Sequence, residues 1–76
     1  MDYIHITLKT PTLADLDLKI PAHITGSEFI KMLTEITGIG FSPESTIQAE
    51  PLGRILDSSQ TFYAEGVGQG ALLTIL

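Results

Sequence analysis

Apolar and polar residues alternate at both ends of this chain and recur at helical spacing in between. In "YIHITLK" Ile4, Ile6 and Leu8 share one parity, and Tyr3, His5, Thr7 and Lys9 share the other. That period of two predicts a half-buried strand. "TPTLAD" supplies a turn, and "LDLKI" alternates again with Leu16, Leu18 and Ile20 facing inward. Two such runs so close together predict an antiparallel hairpin. Pro21 closes the second strand, because it has no amide to donate to a neighbour.

The period then changes. In "ITGSEFIKMLTEITGI" Thr25 and Glu28 have the Thr-x-x-Glu spacing of a capping box, in which each side chain satisfies a free amide of the other. Ile24 and Phe29 stand at the two positions of a hydrophobic staple. Phe29, Ile30, Leu33 and Ile36 fall on one face and predict the buried side of a helix of three to four turns. Gly38 suits the left-handed residue that ends such a helix, with Ile39 folding back as its apolar partner.

"GFSPES" predicts a loop with a short helical turn from Ser42 through Pro43. "TIQAE" is a third strand ended by Pro51, "LG" turns the chain into the short strand "RIL", and "DSSQ" is a polar turn. "TFYAEGVGQG" is expected to be irregular, anchored by Phe62 and Val67. "ALLTIL" is the last strand, with Leu73 and Ile75 inward and Leu72, Thr74 and Leu76 outward. This order predicts an α+β fold in which one helix covers one face of a small mixed sheet. The last strand is expected beside the first, at the sheet centre, where it completes the core.

Composition narrows what such a domain does. Seventy-six residues make one domain with a small core. There is no cysteine, hence no disulfide, thiolate metal site or cysteine nucleophile. Net charge is −5 and only Lys9, Lys19, Lys31 and Arg54 are basic. Phosphate contacts depend on Lys and Arg, so nucleic acid is not an expected partner, nor is an anionic membrane surface. No apolar run approaches the length that spans a bilayer, and a soluble cytoplasmic domain is expected. Charged residues are 17% of the chain, against roughly a quarter in ordinary domains, and mean hydropathy is +0.29. Some apolar side chains must therefore stay outside, which points to a protein-contact surface.

No motif points to catalysis. "GVGQG" opens a strand, whereas phosphate-binding glycine loops open a helix. His5 and His23 are too few for a zinc site, which needs three or four ligands. The serines fall in caps and turns without an adjacent base. Neither a catalytic, a cofactor nor a metal site is expected. The outward face of the sheet remains, with Leu72 and Leu76 expected near Tyr3 and His5 on the first strand; these four are the candidate protein-binding residues. Phe41, Leu52 and Tyr63 are expected to add exposed apolar area.

Element order, Thr25-x-x-Glu28, "TGI" at Thr37–Ile39 and the ending "QTFYAEGVGQGALLTIL" resemble the ubiquitin-like (β-grasp) superfold. "DLKIPAHITGSEFIKML" and "GQGALLTIL" are more similar to its YukD/EsaB branch, small proteins of bacterial type VII secretion systems. The resemblance implies a single ubiquitin-like domain over residues 1–76. It would have a ββαβ(β)β order, with one central helix on a mixed four- to five-stranded sheet. It also implies a non-enzymatic accessory or regulatory role, exercised by docking on cytoplasmic parts of the secretion machinery, and it admits a homodimer. Two other roles fit the same fold: a small structural subunit of a multicomponent enzyme, and a tail-processed carrier. The conjugating and sulfur-carrying members of the superfold need a flexible tail ending in two glycines. Here Thr74, Ile75 and Leu76 are bulky and expected in the sheet, while Gly68 and Gly70 precede it. Neither conjugation nor sulfur transfer is expected.

Overall fold

The computed structural model describes residues 2–42 and 45–76. Its elements in chain order are β1 (Tyr3–Lys9), β2 (Leu16–Pro21), α1 (Gly26–Thr37), β3 (Ile47–Glu50), β4 (Arg54–Ile55), α2 (Phe62–Glu65) and β5 (Ala71–Ile75). The strands form one five-stranded sheet in the order β2-β1-β5-β3-β4. β5 runs parallel to β1 and antiparallel to β3, while β1–β2 and β3–β4 pair antiparallel. The last strand therefore occupies the centre of the sheet, as its apolar run predicts.

Alternation places Ile4, Ile6 and Leu8 of β1 and Ala71, Leu73 and Ile75 of β5 on the same buried face. Phe29 and Leu33 of α1 cover them, and both are almost completely inaccessible. Helix entry and exit follow the sequence signals. The Thr25 hydroxyl accepts the Glu28 amide at 3.1 Å, and the Glu28 carboxylate accepts the Thr25 amide at 2.9 Å. Gly38 takes a left-handed conformation, φ 72°, and donates its amide to the Thr34 carbonyl.

Several expectations need correction. Ile36 is 66% exposed rather than buried. It lies one turn beyond Leu33, the last helical residue in the buried core, so the apolar face of α1 ends there. Ile39 is half-buried and is not among the residues packed against the core, whereas Phe41, expected outside, is. β2 ends at Pro21 as expected, with the proline itself as the strand's last residue. It is tolerated because its nitrogen faces the free edge of the sheet: its neighbour Ala22 is the one whose amide bonds across to Asp2. The turn expected at Ser42–Pro43 falls partly on residues outside those described.

The segment expected to be irregular contains α2, one helical turn capped by Thr61 and ended by Gly66 at φ 87°. Backbone bonds fasten it to the β2–α1 connection, Phe62 N–H to Ile24 and Tyr63 N–H to Ala22. Phe62 meets Phe29 edge to face, with ring centroids 5.3 Å apart. Arg54 closes the far side, donating to the Glu65 carboxylate at 2.6 Å and to the Glu65 carbonyl at 2.9 Å.

This clamp sets an acid limit on stability. The Arg54 hydrogen bond holds the Glu65 carboxyl below its ordinary pKa, helped by the Asp57 amide. Glu28 is lowered by the Thr25 amide and hydroxyl, and Asp57 by the hydroxyl and amide of Ser59. Each group binds its proton less readily folded than unfolded, so each stabilises the fold above the unfolded carboxylate pKa, about 4. That stability disappears as pH falls through the lower folded values. Melting temperature should hold steady above pH 5 and drop below pH 4. Arg54→Ala should lower it at neutral pH and flatten the acid limb; an unchanged limb would show that the clamp is not its source.

Candidate functional site

α1 covers one face of the sheet, and the opposite face presents the other parity of every strand. Register places its side chains in rows. Asp17, Thr7, Leu72 and Glu50 form one row across β2, β1, β5 and β3. Lys9, Thr74, Gln48 and Ile55 form the next across β1, β5, β3 and β4. Lys19 and His5 pair at the near end. Charges of both signs lie on this face. It is mostly polar, with isolated apolar residues.

The four predicted contact residues share the face without meeting. Leu72 is half-buried at its centre beside Thr7, two register positions from His5 and four, roughly 13 Å, from Tyr3. Leu76 lies just past β5, 56% exposed, its amide bonded to the Thr46 carbonyl at 2.9 Å. Register separates it from Tyr3 by eight positions, roughly 26 Å. The expectation that Leu72 and Leu76 stand near Tyr3 and His5 fails because parallel pairing starts at Ile6 and Ala71, which slides β5 toward the far end of β1. Two groups result. Leu72 and Leu76 lie toward β3 and β4, together with Ile55, which is 46% exposed. Tyr3 and His5 lie at the opposite end.

A single side chain builds the second group. β5 begins too late to pair with Tyr3 and His5, whose backbone groups on that side would lack partners. Gln69 supplies them, its amide oxygen accepting the His5 N–H at 2.8 Å and its nitrogen donating to the Tyr3 carbonyl at 3.1 Å. The same oxygen lies 3.3 Å from His5 Nδ1. Next to it the Gly70 amide, at φ 79°, reaches the His5 carbonyl. The "GQG" turn therefore extends the sheet with a side-chain amide. Lys19 lies over the Tyr3 ring, 5.2 Å from its centroid, and fixes the ring on the open face.

Ile55 and Gln69 are the two members of this face that periodicity did not find. A two-residue strand has no readable parity; Ile55 is aimed by its pairing with Gln48. Gln69 acts on backbone more than sixty positions away, which leaves no local trace. The other histidine, His23, lies 3.6 Å from Asp2 and against the Tyr63 ring, and Tyr63 and Leu52 are exposed as expected. On the helix side a pocket of about 290 Å³ lies between α1 and β3, with Ile30, Phe41, Ile47 and Leu56 beneath a rim of serines. Among the described residues no helix is long and apolar enough to cross a membrane.

One capped helix across a mixed sheet whose last strand lies between the first and third defines a ubiquitin-like, β-grasp protein. Solved structures agree. The chain superposes over its full length on 78% of the ubiquitin-like domain of an Arabidopsis thaliana protein, at TM-score 0.78 and 14% identity. Over 97% of its length it matches 91% of a Caldiarchaeum subterraneum ubiquitin, at TM-score 0.71 and 17% identity. It likewise matches 87% of a designed protein based on ubiquitin, at TM-score 0.75 and 23% identity. At these identities the likeness speaks for the fold alone. No curated protein sequence matches the chain. The model of YukD, a protein of the WXG100 protein secretion system (Wss), matches residues 3–75, and the chain belongs to that family. It is thus a ubiquitin-like protein associated with type VII secretion.

Proposed function

We propose that this chain is a non-conjugating, non-enzymatic component of a type VII secretion system. It acts in the cytoplasm by docking on cytoplasmic domains of the secretion machinery. The observation that carries the reading is membership of the YukD family over residues 3–75. The structure supports a binding role through the open face, where Leu72 and Leu76 with Ile55 offer apolar anchors inside a polar surround. Tyr3 and His5 form a second contact at the other end. Residues 71–75 are held in the central strand, with Ile75 buried, so this stretch is not free to thread an activating enzyme.

Affinity capture from the native cytoplasm, followed by identification of the bound proteins, tests the proposal. Secretion-system components should be retained by the wild-type chain and lost from the Leu72→Ser/Leu76→Ser double variant, whose melting should stay cooperative because neither residue belongs to the buried core. Equal retention by that variant would move the contact off this face. Recovery of the subunits of a multicomponent enzyme instead would favour a structural-subunit role, and a partner attached covalently through Leu76 would overturn the non-conjugating reading.

A further inference from the structure

β2 is an edge of the sheet, and its outer side has a self-complementary pattern. In the β1–β2 ladder Ala22 donates its amide to Asp2. Backbone direction alternates along a strand, so Leu16, Leu18 and Ile20 also turn their N–H and C=O groups toward β1. His5, the register partner of Lys19, turns its own N–H and C=O away, to Gln69 and Gly70. Asp17 and Lys19 therefore point both backbone groups outward from the edge. Among the described residues no other segment takes them up. Their side chains are exposed on the open face, and Leu16 and Leu18 are half-buried on the helix side.

An unpaired edge that carries its own N–H and C=O groups is a template for another strand. We infer that the partner is a second copy of this chain, paired antiparallel through β2 about a two-fold axis at Leu18. This register places Asp17 opposite Lys19 of the other copy, and Lys19 opposite its Asp17. Both outward-pointing residues then form reciprocal hydrogen-bonded pairs, and both pairs join opposite charges on the open face. On the other face Leu18 meets its own mate and Leu16 meets the second Ile20, which joins the two cores across the axis. Shifting the axis to Asp17 or to Lys19 sets like charges against each other. Placing it between residues turns hydrogen-bonding groups toward non-bonding ones. Pro21, with no N–H, limits the ladder to the central residues. Charge complementarity and backbone direction thus select one register and one occupant. The area is one short strand edge per copy, so the dimer is a weak, reversible one.

Charge swapping tests this with the whole chain. In sedimentation equilibrium from micromolar to millimolar concentration the wild type should associate to a dimer. Asp17→Lys and Lys19→Asp should each weaken association at least about tenfold, because each turns both cross-strand pairs into like-charge pairs. The double variant Asp17→Lys/Lys19→Asp should return to within about threefold of wild type. An equimolar mixture of the two single variants should form a heterodimer, since all four positions are then complementary. Circular dichroism melts of each variant separate loss of association from loss of fold, and the mixture reads pairing even if one variant is less stable. A wild type that stays monomeric at millimolar concentration overturns the inference. So do single variants that associate like wild type, or a mixture that does not.

Discussion

Leu73→Ala should lower the free energy of unfolding by about 3–4 kcal/mol, the cost of a full Leu-to-Ala cavity in a packed core. In a chain of this size that shifts the melting temperature downward by about 15–25 °C. The magnitude follows from position. Leu73 is fully buried, its neighbours across the ladders are Leu8 and Ala49, and its strand lies between the two antiparallel pairs of the sheet. Among the described residues no other strand connects β1–β2 to β3–β4, so a void here weakens both halves at once. Urea titrations of wild type and variant measure it. A loss below about 1 kcal/mol would mean that the core collapses around the gap and that β5 is not the centre of the packing.

Phe62→Ala should cost about 3–5 kcal/mol, comparable to the loss of a central aliphatic residue although it lies on a single helical turn. Phe62 is almost fully buried and meets Phe29 edge to face, while its amide holds the Ile24 carbonyl at the entrance to α1. The backbone bond survives the substitution and the ring contact does not. The double variant Phe29→Ala/Phe62→Ala should therefore be less destabilised than the sum of the singles, by about 0.5–1.5 kcal/mol, the coupling expected of such a ring pair. Additive losses would place the two rings in independent cavities.

Those two residues also mark where the sequence was and was not legible. Phe29 could be placed from the chain alone, because Thr25, Glu28, the apolar spacing and Gly38 all describe one helix and agree. β1, β2 and β5 were equally clear, since a period of two with one face buried leaves no other assignment. α2 was not, because four residues are too short to establish a period, and beyond its Thr61 and Gly66 caps the turn depends on bonds to the distant Ile24 and Ala22. Ile36 continued the helical period beyond the sheet it was meant to cover; periodicity reports a face and says nothing of where the underlying layer ends. The candidate site shows the same division. Parity correctly assigned Tyr3, His5, Leu72 and Leu76 to the open face. Their spacing depended on the β1–β5 register, which is a property of two segments far apart in the chain. Gln69 and Ile55 are placed by that same long-range pairing. The family resemblance was legible in "ITGSEFIKML" and "GQGALLTIL", and the family match over residues 3–75 agrees with it.

The strand that occupies the middle of the sheet is the last of the five described strands in chain order. Residues 1–70 contain a hairpin, a helix and a second, smaller hairpin, tied together through α2 and its bonds to the β2–α1 connection but not yet through the sheet. Completing the sheet requires β5 to pair with β1 more than sixty residues away, a non-local contact of the kind that slows folding. Until it occurs, the inner edges of β1 and β3 stay unpaired beside an open apolar layer, exposed to chaperones or premature partners until Leu73 and Ile75 take their places.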